Sequence, residues 1–365
     1  MGKMKRKMTS RDIANALGIS RTTVSRALNG HKEIPEATRK RVLDMAEELG
    51  YKHYGYQYNN TRDSGSDKDM HMRHQDHIEL RQIAVLIPSG INMNNEGYWV
   101  DVLRGVEEAA RANRCMIVVH FISSQDYMEH KLPYSLIYKE VDGIIGIGIK
   151  NEQYMDTLLE LDMPIVFIDS TWKGLASNRQ FDLVLMESEA ATSSLTSHLI
   201  SLGHTRIGFI GDIQECRSFY ERFLGFTRAC MEAGISIDSS LHYIEPKPNH
   251  YFSYEEVASA LQSSPHLPTA YVCANDLVAY RVKQYLESVG LTVPRDVSIT
   301  GFDLLPTSHD LLGWLTSVKV QGTSIGLRAF EQLVWRANLP DRPAESIRIA
   351  TEVVVGSSTG IVNNM

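Results

Sequence analysis

Side chains able to make paired, directed hydrogen bonds crowd one short stretch of this 365-residue chain: Ser20, Arg21, Thr22, Thr23, Ser25 and Arg26. An arginine guanidinium presents parallel N–H donors that match the O6 and N7 acceptors of a guanine edge, and threonine offers a hydroxyl or a methyl. Hydroxyls and the unpaired N–H groups of a helix start suit phosphate oxygens instead. Chemistry of that kind requires the residues to stand in a row on a rigid element.

The surrounding sequence supplies one, because Thr9 to Tyr51 reads as three short helices. Ile13, Ala14 and Leu17 recur at helical spacing, Gly18 breaks the helix, and Ser20 restarts it as an N-cap. Val24, Ala27 and Leu28 give the second helix an apolar stripe, leaving Arg21, Thr22, Ser25 and Arg26 on the other side. Pro35 and Glu36 suit the first turn of a third helix, which Val42, Met45, Ala46 and Leu49 anchor and Gly50 ends. This is the helix-turn-helix pattern, whose second helix enters the major groove of DNA. Thr9, Ser20, Thr23, Ser25 and Asn29 are then expected at phosphates, where they position rather than specify.

The charge distribution agrees. Residues 1–62 hold 13 Lys/Arg against 6 Asp/Glu, a net of +7, while the remainder holds 24 against 38, a net of −14. A basic head on an acidic body selects a polyanion for the head alone. From His53 to His77 the composition turns to Asn, Asp, Ser and Gly, as in a linker. His71, His74 and His77 have no cysteine or well-placed carboxylate to complete a metal site, so neither metal nor cofactor is expected. Cys115, Cys216, Cys230 and Cys273 are scattered among apolar neighbours and read as core residues in a reducing compartment. No apolar run could span a bilayer, and the Lys/Arg-rich start lacks the apolar segment of a signal peptide. A cytoplasmic protein without a membrane partner is expected.

From Gln82 onward apolar strands alternate with amphipathic helices. Strands are expected at 83–87, 116–122, 142–147, 164–169, 206–211, 242–246, 269–274 and 297–303. Helices are expected over Tyr98 to Ala112, Ala190 to Leu202, Phe219 to Ala233 and Leu277 to Val289. Near-continuous apolar strands between helices predict parallel sheets covered on both faces. A weak repeat matches QIAVLIP and VLRGVEEAARANR to RIGFIGD and RFLGFTRACMEAG, with Gly105 and Gly225 at equivalent points. Two such lobes in tandem enclose a cleft, lined by the loops at the carboxyl ends of their strands. Asn94, Asp169, Asn275 and Asp303 end strands or begin loops on that side. Tyr98 and Phe252 offer flat aromatic faces on which a ligand ring could stack, although aromatic residues there serve packing as often.

Head, linker and paired lobes together resemble the lactose-repressor/galactose-repressor (LacI/GalR) family of bacterial transcription regulators. The head carries DIANALGISRTTVSRALNG from Asp12 to Gly30, and the body HLISLGHTRIGFIG (198–211), ERFLGF (221–226), PTAYVCANDLVAY (268–280) and VPRDVSITGFD (293–303). The resemblance implies an α/β fold: an N-terminal three-helix helix-turn-helix DNA-binding domain and a two-lobed periplasmic-binding-protein-like sensor domain. The expected domains are 1–52, a linker 53–80, and a body 81–365 with lobes near 81–170 plus 303–338 and 171–302 plus 339–365. It implies a repressor on near-palindromic operator DNA, working as a homodimer or tetramer, with affinity set by a small effector, a sugar being the expected class. Arg21, Thr22 and Arg26 fall on the family's base-reading positions. Arg222 and Asp276 fall on its frequent effector contacts, although the two could instead form a mutual salt bridge, or Asp276 could cap the following helix. Glu187 reads as a charge at a helix start rather than a ligand.

One departure stands out. The family follows the third helix with Pro-Asn-x-x-Ala-Arg-x-Leu, a hinge that wedges a leucine into the minor groove. Here Gly50-Tyr51 is followed by KHYGYQYNNTRDSG, with Tyr54, Tyr56, Tyr58, Asn60 and Arg62 in place of that motif. This argues against minor-groove wedging by the family's device.

Two rival readings are weaker. Gly322-Thr323-Ser324-Ile325-Gly326 spells a hydrolase nucleophile motif, yet no histidine follows His309 to complete the order Ser, Asp, His. Ser324 is better read as a helix-start residue, and Gly143 to Lys150 lacks any phosphate-loop or dinucleotide spacing. A pure sugar-binding protein would not need the helix-turn-helix head. The chain is therefore expected not to be an enzyme.

Overall fold

The computed structural model describes residues 10–28, 34–48, 78–89, 97–171, 180–245, 253–264, 266–304 and 313–362. The chain divides into two compact units, 1–78 and 79–365. The linker residues 53–77, with the three histidines and the tyrosines that replace the hinge motif, lie outside the described residues.

The first unit is built from α1 (Ser10–Leu17), α2 (Arg21–Leu28) and α3 (Glu36–Glu48). Gly18 takes φ +64°, and the Ile19 N–H closes the turn on the Ala14 carbonyl at 3.1 Å. Ser20 caps α2 as expected, its Oγ accepting the Thr23 N–H at 3.0 Å. Ile13, Ala14, Val24, Ala27, Val42 and Ala46 form the core, with Leu17, Ile19, Ile34 and Met45 packed at its edge.

The second unit begins with β1 (Gln82–Pro88), α4 (Gly97–Ala112), β2 (Met116–Ile122), α5 (Ser124–Met128) and α6 (Tyr134–Ile137). Then come β3 (Gly143–Ile149), α7 (Glu152–Leu159), β4 (Ile165–Ser170), β5 (Asp182–Met186) and α8 (Glu189–Ser201). Next are β6 (Ile207–Ile210), α9 (Arg217–Glu232), α10 (Tyr254–Ser263), β7 (Ala270–Cys273), α11 (Asp276–Ser288) and β8 (Ser298–Thr300). The chain closes with β9 (Ser317–Lys319), α12 (Gly322–Asn338), β10 (Ser346–Ile349) and β11 (Glu352–Val354).

Six strands form one parallel sheet in the order β10-β5-β4-β3-β1-β2. Alternate residues of β1 serve opposite faces: Ile83, Val85 and Ile87 meet α4 and α12, whereas Ala84 and Leu86 meet Leu136, Tyr154 and Leu158. The second lobe has the parallel order β6-β7-β8. Parallel bridges at Thr300–Thr316 and Asp303–Lys319 extend it to β9, on which β11 lies antiparallel.

Three expectations shift. Of the strand expected at 242–246, the described residues 242–245 form none; Tyr243 makes an isolated bridge to Ile210, and 246 lies outside the described residues. β5 and β10 pair within the first sheet, and β9 joins the second, so the chain crosses between lobes near 187, 320 and 350. The boundaries expected near 170, 303 and 338 had ended the first lobe's opening segment one strand early and placed the strand at 346–349 in the other lobe.

The repeated glycine of the two halves has one physical meaning. A Cβ on Gly105 would stand 2.0 Å from the Thr323 carbonyl oxygen, and one on Gly225 2.1 Å from that of Glu189. Each glycine lets two helices touch backbone to backbone, α4 on α12 and α9 on α8.

Candidate functional sites

In the head, Arg21, Thr22 and Arg26 of α2 are exposed and Thr23 is half-buried. The stripe of Val24 and Ala27 turns toward the core and thereby turns these side chains outward. The Ser20 and Thr23 hydroxyls share a hydrogen bond at 2.8 Å, so part of their capacity stabilises the helix start. Thr9, Asn29 and the side chain of Ser25 lie outside the described residues.

In the body, four of the expected residues converge where the carboxyl ends of the two sheets meet. Asp169 ends β4 in the first lobe, and its Oδ2 accepts the Ser218 hydroxyl of α9, in the second lobe, at 2.7 Å. Its Oδ1 accepts the N–H groups of Ser170 and Ser218 at 2.9 and 3.3 Å. Arg222, one turn further along α9, donates to the Ala274 carbonyl at 2.5 Å and to the Met186 sulfur at 3.3 Å. Its Nη2 lies 3.5 Å from Asp303 Oδ1, and its guanidinium sits 3.7 Å above the Phe302 ring. The Nε of Arg222 is buried without a hydrogen-bond partner. Tyr98 completes the group: burial raises its pKa well above the ordinary value, and the neighbouring Asp169 and Asp303 carboxylates add to the effect. Cys216 lies beside them, its thiol pushed up to about 12 by burial.

Asp169 and Asp303 hold φ of +49° and +119°, in the region that side chains other than glycine rarely adopt. Such strain persists where surrounding structure over-determines it and concentrates at functional sites.

Asp276 and Asn275 are used differently. Asn275 caps α11, accepting the Val278 N–H at 2.9 Å. Asp276 accepts from the Leu304 N–H at 2.7 Å and the Ser317 hydroxyl at 2.6 Å, both within the second lobe. The ion pair of Arg222 is therefore made to Asp303 and not to Asp276. Asn94 and Phe252 lie outside the described residues. Glu187 does serve a helix start, accepting the Ala190 N–H at 3.3 Å. Ser324 lies in the first turn of α12, as its reading required.

Several cross-lobe contacts were not anticipated: Ser218 on Asp169, Met186 on Arg222, Arg348 on Glu221, and Lys150 on Glu215. Ser218 is a hydroxyl in the first turn of α9, one helical turn before Arg222, and that spacing was the sequence signal for it. Among the described residues no cluster of His, Cys, Asp and Glu could hold a metal ion, and no helix is long and apolar enough to cross a membrane.

An outward-facing arginine row on the second helix of a helix-turn-helix, in one chain with two parallel-sheet lobes meeting at a polar cluster, defines the class. It is a helix-turn-helix DNA-binding protein with a periplasmic-binding-protein-like body. Residues 9–53 match the model of bacterial regulatory proteins of the lacI family, and residues 196–359 that of the periplasmic binding protein-like domain. Catabolite control protein A of Priestia megaterium is 27% identical over 354 residues, covering 96% of this chain and 99% of that protein. The transcriptional repressor PurR of Vibrio vulnificus is 26% identical, covering 97% and 99%. Among solved structures, a CelR–cellobiose complex superposes with TM-score 0.66 at 22% identity, covering 96% of this chain and all of that one. The lac repressor dimer bound to operator and the anti-inducer ONPF gives 0.64 at 18%, covering 97% and 100%. The chain therefore carries a lacI-family DNA-binding domain and a periplasmic-binding-protein-like domain, and it is a DNA-binding transcription regulator.

Proposed function

We propose that this regulator is a repressor whose operator affinity is set by a small polar effector bound between the lobes, with Arg222, Asp303, Asp169 and Tyr98 as its contacts. The single observation that carries the reading is Arg222: a buried guanidinium at the lobe junction, one of whose nitrogens has no hydrogen-bond partner. A hydroxyl or ring nitrogen placed there would satisfy it, and leaving it unmade is costly. A sugar is the preferred effector class; relatives include a ribose operon repressor from Haemophilus influenzae and the cellobiose-bound CelR structure. Asp276 acts indirectly, by bracing Leu304 and Ser317 beside the site.

The DNA contacts are assigned to Arg21, Thr22 and Arg26 for bases, and to Thr9, Ser20, Thr23, Ser25 and Asn29 for phosphates. The protein acts in the bacterial cytoplasm, as a homodimer on a near-palindromic operator, and not as an enzyme. Edge strand β2 supports dimerisation: Met116 and Phe121 are 62% and 63% exposed, and Tyr134 and Tyr138, also exposed, stack with centroids 6.0 Å apart. Apolar side chains on an open strand edge favour a partner over water.

A thermal-shift screen of neutral sugars, phosphorylated sugars and nucleobases on the full chain tests the effector site. A true effector at a hundredfold its Kd stabilises by about 2.7 kcal/mol, and Arg222→Met should abolish that shift. Operator binding with and without the hit gives the sign of control. Loss of all sequence preference under competing random DNA would overturn the operator assignment.

A further inference from the structure

Among the described residues two ion pairs join the lobes, and they sit at different distances from the crossovers. Arg348 of β10 donates to both carboxylate oxygens of Glu221 on α9, each at 2.7 Å. It stands two residues before the crossover near 350, where a rotation of the lobes produces little displacement. The other pair joins Lys150, which follows β3, to Glu215 in the loop between β6 and α9.

β3 lies two strands from β5 and three from β10. At the spacing of a sheet that places Lys150 roughly 10–14 Å from the crossovers. Glu215 follows β6, the strand furthest from β9 and β11 in its own sheet. Rotation about the crossovers therefore separates Lys150 from Glu215 while leaving Arg348 on Glu221.

The local charges sharpen the point. Asp169 of the first lobe and Asp212 of the second both act electrostatically on Lys150, as does Glu215. One ammonium thus stands among three carboxylates contributed by both lobes. Its anchorage is firm, because the N–H groups of Lys150 and Asn151 both donate to the Tyr127 hydroxyl, at 2.7 and 2.8 Å. Without the ammonium, Asp169 faces Asp212 and Glu215 across the junction, and like charges in a partly desolvated site push apart.

We propose that Lys150 is an electrostatic latch that holds the lobes closed before any effector binds, paired with Glu215 and shielding the carboxylates of the two lobes from one another. The proposal rests on the reading that the effector site lies between the lobes, and it makes the charge at position 150 a determinant of the resting lobe arrangement.

Hydrogen exchange of the full chain, without effector or DNA, tests it. The Ser218 N–H donates across the junction to Asp169 at 3.3 Å, so peptides spanning 214–220 report opening. Lys150→Met should exchange there about tenfold faster than wild type, with the strand cores 83–87 and 270–273 unchanged. Lys150→Glu and Glu215→Lys should each accelerate exchange, and the double charge swap should return it to within about threefold of wild type. About 1 M salt should accelerate the wild type in the same peptides. Unchanged exchange at 214–220 in Lys150→Met, or a swap no better than Lys150→Glu alone, overturns the latch. Should the Lys150 variants not fold, Glu215→Lys alone decides, since normal protection at 214–220 overturns it equally. Because neither effector nor DNA is present, failure here leaves the regulator reading standing, and failure of operator recognition leaves this measurement intact.

Discussion

Asp276 opens α11 with its carboxyl group enclosed, 7% exposed, and burial pushes its pKa up to about 7 against the pull of hydrogen bonds from Ser317 and Leu304. In the unfolded chain an aspartate titrates near about 3.9. Between those values the folded protein holds a proton that the unfolded chain has released, so stability falls as pH rises. The contribution is full below about pH 4 and gone above about pH 7. With these two values the loss between about pH 5 and about pH 8 is about 2.5 kcal/mol. Asp276→Asn removes the titration and keeps the shape: its amide oxygen can accept from Leu304 and its NH2 group can donate to the Ser317 oxygen. Urea unfolding of the full chain measures the difference. From about pH 5 to about pH 8 the wild type should lose about 2.5 kcal/mol relative to the variant, a relative midpoint shift of about 1 M at an m-value of about 2–3 kcal/mol per molar. Parallel pH dependence of the two proteins would refute the assignment of a buried, proton-holding carboxyl at this position.

Three further outcomes follow from the geometry. Arg26→Ala should weaken operator binding by about 1–3 kcal/mol and relax base preference at one position; equal weakening on random DNA in a competition assay would remove its base-reading role. Arg336 grips Asp182 through Nε and Nη2 at 2.6 and 2.8 Å, and the Asp182 side chain is fully buried. Arg336→Met leaves that carboxylate with the Glu345 N–H as its remaining donor and should cost about 3–5 kcal/mol, read as a lowered denaturation midpoint. Gly225→Ala drives a methyl into the Glu189 carbonyl and should cost about 1–3 kcal/mol by forcing α9 off α8; an unchanged melting temperature would mean that the helices can part freely.

The head was legible in the sequence because its signals are local: a stripe at helical spacing, a glycine at positive φ and a serine cap all report on residues within a few positions. Parallel sheets were legible for a related reason, since buried strands such as β1, β3 and β4 are continuous apolar runs. Lobe membership was not. β10 reads Ser-Ile-Arg-Ile and is half-exposed, so nothing local says which sheet it joins; that is decided by pairing with β5, more than 150 residues away. The site shows the same division. Strand ends flagged Asp169 and Asp303, but the choice between Asp276 and Asp303 as the partner of Arg222 depends on how the chain turns after β8. There Leu304 and Ser317 claim Asp276.

That choice bears on how a ligand could be felt by the rest of the molecule. Arg222 belongs to the second lobe through Ala274 and Asp303, yet its Nη2 also reaches Met186, the last residue of β5 and the one directly before a crossover. Asp276 has no such reach, its partners being confined to one lobe. A ligand that recruits Arg222 must therefore rearrange a group that already touches a hinge strand, whereas a ligand held by Asp276 alone would leave the hinge untouched. An effector changes an equilibrium only through contacts that differ between the two arrangements. Among the described residues of the cleft, the Arg222–Asp303 pair at the Met186 crossover meets that requirement on one side, and the Lys150–Glu215 pair at the opposite end of the sheets meets it on the other.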